Sequence, residues 1–367
     1  MKISFVKLGP ENQIIKKAFL KKVSDMIDRS SFALGEESKL FEKDFAKFCG
    51  AKFCLGLGSG TDALHAALLA CGVKKGDEVI TTPISYTATS LAIAYTGAKP
   101  VFVDVLNDGN IDPSKIEKAI TPKTKAILVV HMYGNPCDLS KIGAIAQKHK
   151  LLVIDDCAHS HGAVYRGKKI GSLTDISCWS FYPTKNLGAW GNAGAITTNN
   201  KELLDRAFLF KNFGGLDKNN SKVIGYNYRL DDMQAMILSL KLKHLAQANK
   251  KRQSVARGYN KELIGVGDIK MLPFSTDCSY YVFTIKTKDR DALQKFLVDR
   301  GVQTFIHYPL PIHLQECFKY LKYKKGDFPV AELHAQTVLS LPCYPSMLLN
   351  EQRYVVSVIK EFFPKSI

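Results

Sequence analysis

Between residues 40 and 200 the chain alternates short apolar segments with segments of helical period, and this alternation constrains the fold most. Strands are predicted over 78–81, 100–104, 126–131, 151–155 and 176–181, and helices over 61–71, 88–95 and 139–149. Strands that alternate with helices form a parallel sheet covered by helices on its faces. The sequence therefore predicts an α/β fold with a large, mostly parallel sheet.

The pattern changes after a long helix predicted over 231–262. A strand over 280–285, a helix over 290–301 and a strand over 302–307 follow it, and a polar loop over 215–223 precedes it. These shorter elements predict a smaller α+β domain at the C-terminal end. A chain of 367 residues is long enough for about two domains.

Composition excludes several classes of protein. Hydrophobic residues make up 46% of the chain and charged residues 23%, which is typical of a globular protein and excludes a disordered or coiled-coil architecture. No apolar run approaches the roughly 18 residues of a membrane span, and Lys7 and Glu11 interrupt any secretion signal, so a cytoplasmic protein is expected. Nine cysteines without a C-x-x-C pair favour reduced thiols over a disulfide framework.

The net charge of +17 raises the question of a nucleic-acid partner. Only nine of the 51 basic residues are arginines, and the basic residues are scattered without interleaved aromatics. The sequence therefore predicts no nucleic-acid partner and no membrane partner. A positive field of this size still attracts a phosphorylated substrate.

The segment 56–61, GLGSGT, is a glycine-rich turn between a strand-like segment and the first predicted helix. Free backbone N–H groups and the positive end of the helix would bind an anion there. The pattern differs from the dinucleotide motif G-x-G-x-x-G and lacks the G-K-[ST] of a P-loop. Taken alone, these residues are equally consistent with a turn that binds nothing.

Two acidic residues, Asp155 and Asp156, end the strand predicted over 151–155. Successive side chains of a strand point to opposite faces, so one of the two is expected to face a ligand at the carboxyl end of the sheet. His159 and His161 nearby suggest a metal site as an alternative. Because no third and fourth ligand lie at a recognisable spacing, no metal is predicted.

Lys185 follows the strand predicted over 176–181 and lies among apolar and aromatic residues. Such surroundings disfavour a charged ammonium, which suits a lysine that bonds to an aldehyde, whereas most lysines of this chain are simply solvated. A phosphate-binding turn, an aspartate at a strand end and a lysine about 30 residues later match the phosphate, ring nitrogen and aldehyde of pyridoxal phosphate. The combination predicts a pyridoxal phosphate site.

Longer motifs occur in order along nearly the whole chain. They include GSGTDALHAALLACGVKKGDEVITTPISYTATS, VIDDCAHSHGA, SFYPTKNLGAWGNAGAI, GYNYRLDDMQA and IHYPLPIHLQ. These motifs closely resemble the DegT/DnrJ/StrS family of nucleotide-sugar aminotransferases, which have the aspartate aminotransferase fold of type I pyridoxal phosphate enzymes. The resemblance implies a large cofactor-binding domain over 1–240 and a small C-terminal α+β domain over 241–367.

The resemblance also implies which residues contact the cofactor ring. Lys185 would bond to the cofactor aldehyde and serve as the catalytic base, and Asp156 would pair with the ring nitrogen. Tyr86 would stack on the ring, and His159 would lie near its phenolic oxygen.

Other residues at matching positions would bind the cofactor phosphate. Gly60, Thr61 and Ser180 would hold it within one chain. Asn227 would reach the phosphate of a neighbouring subunit, so the resemblance implies a homodimer with shared active sites.

The segment IHYPLPIHLQ looks most like that of members that transfer the amino group of L-glutamate to C3 of a dTDP-linked 3-keto-6-deoxyhexose. The implied substrate-binding residues are Tyr182, His307, Tyr308 and His313, and loop packing beside prolines is the alternative for the two histidines. The product, a dTDP-3-amino-3,6-dideoxyhexose, would serve the biosynthesis of a glycan of the lipopolysaccharide O-antigen or S-layer type.

Several alternatives stay open at the level of sequence. The acceptor could have the gluco or galacto configuration, the nucleotide could be UDP, and the amine could enter at C4. A sugar dehydratase on the same scaffold is disfavoured because such relatives replace Lys185, commonly with histidine, and a non-catalytic sensor has no need of Lys185 and Asp156 together. Asn192 and Trp190 depart from the family pattern, which bears on substrate fit.

Overall fold

The computed structural model describes residues 1–30, 32–215 and 219–363, so residues 216–218 of the predicted polar loop lie outside the described residues. Its helices are α1 (Gly9–Asp28), α2 (Glu36–Cys49), α3 (Gly60–Ala70), α4 (Ala88–Tyr95), α5 (Pro113–Ile116), α6 (Leu139–His149), α7 (Lys201–Lys211), α8 (Asp232–Leu263), α9 (Arg290–Asp299), α10 (Pro329–Thr337) and α11 (Leu349–Phe362). Its strands are β1 (Phe53–Leu57), β2 (Glu78–Thr81), β3 (Lys99–Phe102), β4 (Thr124–Val130), β5 (Leu152–Asp156), β6 (Val164–Tyr165), β7 (Lys168–Lys169), β8 (Ile176–Ser180), β9 (Gly194–Thr198), β10 (Lys270–Met271), β11 (Phe283–Lys286) and β12 (Val338–Leu341).

Seven strands form the large sheet in the order β1-β9-β8-β5-β4-β2-β3. β9 runs antiparallel to its neighbours β1 and β8, and the other neighbouring pairs are parallel. This arrangement confirms the predicted α/β fold with a mostly parallel sheet.

The large sheet is buried on both faces, and β4 shows how the sequence produces this. Along this strand Ala126, Leu128 and Val130 pack into one core cluster, whereas Ile127 and Val129 pack into another. The cluster that contains Leu128 includes residues of α3 and α7, and the cluster that contains Ile127 includes residues of α2 and α6. A strand whose two faces are both covered reads as a continuous apolar run, which is the pattern in this segment.

The C-terminal elements include a three-stranded antiparallel sheet in the order β10-β11-β12. The strand predicted over 302–307 is wrong: Val302 forms a single bridge with Ile3, and Phe305 forms one with Ser340 of β12. Hydrogen bonding changes partner within these few residues, so no continuous ladder forms. Ile3 from the N-terminus thereby joins the core cluster of this smaller sheet.

The domain boundary predicted at residue 240 stays a prediction. α8 runs through this position, and the segment from Ile312 to Ala335 packs against Ile84, Phe102 and Val105 beside the large sheet. Asp104 accepts hydrogen bonds from the backbone N–H groups of Val330 and Ala331 at 3.2 and 3.0 Å and so fixes the start of α10. Within the described part of the chain, no helix has the length and apolarity needed to span a membrane.

Candidate active site

A cavity of about 430 Å³ lies at the carboxyl ends of β5 and β8, beside the N-terminus of α3. Ten of the twelve residues predicted for the site line it: Gly60, Thr61, Tyr86, Asp156, His159, Ser180, Tyr182, Lys185, His307 and Tyr308. Residues far apart in sequence meet here because parallel strands end at the same edge of the sheet.

Asp156 is the aspartate that faces the cavity. Its two carboxylate oxygens accept hydrogen bonds from the hydroxyl of Thr89 at 2.8 Å and from the backbone N–H of Ala158 at 3.1 Å. Burial raises the pKa of Asp156, while these hydrogen bonds and the positive charge of Lys185 act in the opposite direction. A protonated ring nitrogen placed beside this carboxylate would further stabilise its charged form.

Asp155 points to the other face of β5, as the alternation of strand side chains predicts. It accepts hydrogen bonds from the hydroxyls of Thr174 and Ser177 at 2.8 and 3.3 Å. His131 Nε2 lies 3.5 Å from its carboxylate, and these two residues with Cys157 bring possible ligand atoms within 4.8 Å of one another. The hydrogen bonds from these two hydroxyls already account for the orientation of Asp155. Neither His159 nor His161 belongs to the group of possible metal ligands formed by His131, Asp155 and Cys157.

The turn that begins α3 has the form expected of an anion site. The Ser59 hydroxyl caps the helix by accepting a hydrogen bond from the backbone N–H of Asp62 at 3.0 Å. A Cβ atom on Gly60 would lie only 2.5 Å from the Cβ of Ser180, so glycine is needed for the turn to approach β8 this closely. Backbone N–H groups at the positive end of α3 and the hydroxyls of Thr61 and Ser180 therefore surround one end of the cavity.

Lys185 enters the cavity from the loop that follows β8. Its Nζ lies 4.2 Å from the centroid of the Tyr281 ring. The next residue, Asn186, is buried and donates hydrogen bonds to the Asn249 side chain at 3.0 Å and to the Ser279 carbonyl at 2.8 Å. The loop is thus anchored to α8 and to the segment before β11, which restricts where the lysine amine can lie.

His159 lies against the ring of Tyr281, with ring centroids 4.2 Å apart and an interplanar angle of 19°. Its Nε2 lies 3.3 Å from the hydroxyl of Tyr308, and its Nδ1 has no hydrogen-bond partner among the described residues. Burial, and then the positive charge of Lys185, hold the pKa of His159 well below its usual range. This imidazole is therefore neutral, and its Nδ1 is a buried polar atom without a partner among the described residues.

The wall opposite the sheet comes from the segment before the first proline of IHYPLPIHLQ. His307 Nδ1 lies 2.9 Å from the hydroxyl of Ser340, and burial lowers the pKa of His307 to about 4. Tyr308 and the exposed Tyr86 ring lie with centroids 6.1 Å apart. These side chains offer neutral hydrogen-bonding groups to a ligand.

Two predicted residues do not line the cavity. His313 is buried, its Nε2 lies 3.1 Å from the carboxylate of Glu332, and it packs against Phe328 beside the large sheet. Asn227 is exposed and forms an isolated bridge with Asn212. His313 is thus packed in the protein, which was the alternative to substrate binding for the histidines of this segment.

The two departures from the family pattern occupy different places. Asn192 lines the cavity. Trp190 instead donates its indole N–H to the Asn12 side chain of α1 at 2.8 Å and packs edge to face on Phe19. Trp190 therefore acts on the position of α1 and does not line the cavity.

Sequence reasoning missed several residues that line the cavity, among them Thr89 and Tyr281. Thr89 lies in the first turn of α4, three residues after Tyr86, and its position within a motif that resembles the family was an available signal. Tyr281 lies just before β11 and reaches the cavity only through the packing of the smaller sheet, so no local pattern could have identified it.

The groups that line the cavity fit pyridoxal phosphate. The α3 turn provides N–H groups for a phosphate, Asp156 a buried carboxylate for a ring nitrogen, and Lys185 an amine for an aldehyde. The orphaned Nδ1 of His159 adds a polar atom that lacks a partner within the described residues.

The profile of the DegT/DnrJ/EryC1/StrS aminotransferase family matches residues 13–360. The chain belongs to this family. The aminotransferase activity and the pyridoxal phosphate cofactor predicted from the sequence are therefore confirmed. Lys185 and Asp156 stay the predicted catalytic residues of this family member.

Individual members of the family cover the chain almost completely. A "Pleiotropic regulatory protein" of Geobacillus stearothermophilus is 44% identical, covering 99% of each chain. A dTDP-3-amino-3,6-dideoxy-alpha-D-galactopyranose transaminase of Aneurinibacillus thermoaerophilus is 41% identical, covering 98% of this chain and 99% of its own. A UDP-N-acetyl-3-dehydro-alpha-D-glucosamine 3-aminotransferase of Acidithiobacillus ferrooxidans is 40% identical, covering 94% of each chain.

A solved structure gives the same picture of the fold. DesV of S. venezuelae, crystallised in complex with a ketimine intermediate, superposes with a TM-score of 0.97 at 36% identity and covers 100% of each chain. The aspartate aminotransferase fold predicted for this family is thereby confirmed.

Acid stability of this aminotransferase should depend on His161. Its ring lies 5.3 and 5.5 Å from the rings of Trp179 and Phe181, and burial lowers the pKa of His161 from 6.5 to about 3. Below about pH 6.5 His161 binds a proton in the unfolded chain but not in the folded chain. The corresponding part of the free energy of unfolding is therefore present above pH 6.5 and is lost as the pH falls toward 3.

We expect His161→Leu to make the unfolding free energy less dependent on pH between pH 6 and pH 4. The slope should fall by about 1.4 kcal/mol per pH unit, the value for one proton. Urea denaturation of the wild type and the variant at several pH values measures the unfolding free energy at each pH. The same pH dependence in the two proteins would contradict the expectation.

Proposed function

We propose that this enzyme transfers the amino group of L-glutamate to C3 of a dTDP-linked 3-keto-6-deoxyhexose. The observation that carries the proposal is that Lys185 and Asp156 line one cavity with the anion-binding turn and with His307 and Tyr308. The relative that forms a dTDP-3-amino-3,6-dideoxy sugar supports this choice of acceptor.

The chain's own residues suit the two halves of such a reaction. Bound pyridoxal phosphate supplies an electron sink, which stabilises negative charge on the carbon from which a proton leaves. Asp156 holds a proton at the ring nitrogen by its charge, and the amine of Lys185 moves a proton to and from the reacting carbon. Gly60, Thr61 and Ser180 would hold the phosphate of the bound cofactor at the end of the cavity formed by the α3 turn.

The acceptor faces a wall of neutral groups in this proposal. His159 and His307 are uncharged near neutral pH because burial lowers the pKa of each. Tyr182 and Tyr308 add hydroxyls at the same cavity. Neutral donors and acceptors of this kind suit the hydroxyl and keto oxygens of a hexose.

A UDP-sugar 3-aminotransferase is the second candidate, and the UDP-sugar relative favours it. A purely regulatory protein, as the name of another relative suggests, would not require Lys185 and Asp156 in one cavity with the turn. We therefore expect catalysis with either nucleotide to depend on both residues.

A panel of keto sugars tests the proposal. The purified enzyme would be given L-glutamate with dTDP- or UDP-linked 3-keto and 4-keto hexoses, and 2-oxoglutarate release would be followed. We expect the highest kcat/KM for the dTDP-3-keto-6-deoxyhexose, in either configuration at C4. A higher value for a UDP-linked sugar would favour the second candidate.

We further propose that the enzyme is a homodimer in which Asn227 reaches the neighbouring phosphate. Asn227 is exposed, and two apolar side chains close to it are exposed as well. Ile224 lies three residues earlier and is 88% exposed, and Phe213, whose backbone N–H donates to the carbonyl of Tyr226, is 50% exposed. Apolar residues that face solvent in one chain suit a surface covered by a second copy.

Mixed dimers of two impaired variants test the shared site. Asn227→Ala should lose about tenfold or more of its activity, because a hydrogen bond to a charged group is lost, and Lys185→Ala should lose nearly all. A mixed dimer would combine the intact Lys185 of one chain with the intact Asn227 of the other, so activity should return on mixing. If mixed dimers form and their activity does not rise above that of the separate variants, Asn227 does not act across the interface.

A further inference from the structure

A buried tyrosine and histidine lie behind the wall formed by His307 and Tyr308, outside the cavity. Tyr133 lies in the turn Met132–Gly134 after β4, and His334 lies on α10. Their rings are stacked, with centroids 5.8 Å apart and an interplanar angle of 11°. The Tyr133 hydroxyl lies 2.5 Å from the His307 carbonyl oxygen and 2.7 Å from His334 Nε2.

The chemistry of these three groups fixes the position of each proton. A carbonyl oxygen only accepts hydrogen bonds, so the single hydroxyl proton of Tyr133 must be donated to His307. His334 Nε2 must then carry a proton and donate it to the Tyr133 oxygen. The other nitrogen of His334, Nδ1, is left without a proton, and it has no hydrogen-bond partner in the part of the chain that the structure describes.

The arrangement is neutral and tightly packed. Burial raises the pKa of Tyr133 far above its usual range and lowers the pKa of His334 to about 3. A Cβ atom on Gly109 would lie 3.0 Å from His334 Cε1, and Gly109 has a φ of +87° that favours glycine. A side chain at position 109 would therefore crowd the histidine ring, and glycine leaves room for it beside Tyr133.

The carbonyl that Tyr133 holds belongs to the peptide bond between His307 and Tyr308, and both of these side chains line the cavity. The side chain of His307 contacts Ser340 and that of Tyr308 contacts His159, so both side chains are held as well as the peptide bond between them. Tyr133 thus connects the end of β4 in the large sheet to the backbone of the opposite wall.

We propose that Tyr133 and His334 are positioning residues that set the acceptor-facing wall of the active site. The inference rests on the proposed function, which assigns His307 and Tyr308 to the keto sugar. Neither Tyr133 nor His334 lines the cavity, so they would act only through the backbone between those two residues.

The test separates the two half-reactions. Tyr133→Phe leaves the His307 carbonyl and the His334 N–H without partners in a buried place, so the wall should shift. We expect the KM for the keto sugar to rise about tenfold, with the single-turnover rate of the glutamate half-reaction unchanged within about twofold. Tyr354→Phe is the matched control, because its hydroxyl also donates to a backbone carbonyl, that of Arg300, at 2.9 Å.

A second pair of variants tests the proton assignment. His334→Gln retains an N–H donor on a side chain of suitable length, whereas His334→Leu removes the donor. We expect the Gln variant to keep the KM for the keto sugar within about threefold of wild type. The Leu variant should raise this KM by less than Tyr133→Phe does, because the Tyr133 hydroxyl still donates to the His307 carbonyl.

Equal losses in both half-reactions, or a similar KM change in Tyr354→Phe, would overturn the positioning role. The KM is measured with whichever nucleotide-linked keto sugar the wild-type enzyme aminates best. A preference for another sugar would therefore overturn the proposed acceptor, whereas an unchanged KM in Tyr133→Phe would overturn the inference drawn here.

Discussion

Lys185→Ala should fold and should lose about 10⁴-fold of the transamination rate or more, because the variant lacks both the amine that bonds to the cofactor and the base that moves the proton. The loop that carries Lys185 is held by neighbouring residues and not by the lysine itself. Asn186 donates to Asn249 and to the Ser279 carbonyl, and both bonds survive the substitution.

The measurement is the steady-state release of 2-oxoglutarate, with circular dichroism and the Tm as controls for folding. A matched control is Lys241→Ala, whose amine donates to the Gly188 carbonyl of the same loop at 2.8 Å but does not line the cavity. We expect this control to retain most of its activity. Substantial turnover by Lys185→Ala would overturn the assignment of the catalytic base.

Asp156→Asn should retain the cofactor but slow proton transfer by about 10²- to 10³-fold, which is the range for removing a preorganised charge from an active site. An amide has nearly the same shape as a carboxylate, and its oxygen can still accept the hydrogen bond of Thr89 or Ala158. It has no negative charge, so it would no longer hold a proton at the ring nitrogen.

Asp155→Asn is the matched control for this variant, because Asp155 is the neighbouring aspartate on the opposite face of β5. It should lower the Tm, since the bonds from Thr174 and Ser177 are weakened. Single-turnover rates per bound cofactor should stay close to wild type. If Asp155→Asn slowed proton transfer and Asp156→Asn did not, the two aspartates would have been assigned the wrong way round.

Local sequence patterns were sufficient to predict features that depend on residues within one turn or one strand. The apolar run of β4 and the alternation at Asp155 and Asp156 follow from the period of a strand, and the structure places Asp156 at the cavity as expected. The glycine-rich turn likewise led correctly to the N-terminus of α3.

Long-range packing decided what local patterns could not. Tyr281 meets Lys185 and His159 only because the smaller sheet packs over the end of the large one. His313 follows His307 by six residues, yet it pairs with Glu332 on α10 and does not line the cavity. The segment over 302–307 has the composition of a strand, but its backbone bonds first to Ile3 and then to Ser340.

Transfer of labelled nitrogen tests the central claim most directly. The enzyme would be incubated with ¹⁵N-labelled L-glutamate and dTDP-3-keto-6-deoxyhexose, and the sugar product would be analysed by NMR. We predict a ¹⁵N amine bonded to C3 of the hexose, formed in equal amount to 2-oxoglutarate. A label on C4, or glutamate consumed with no nitrogen in the sugar, would contradict the proposed function.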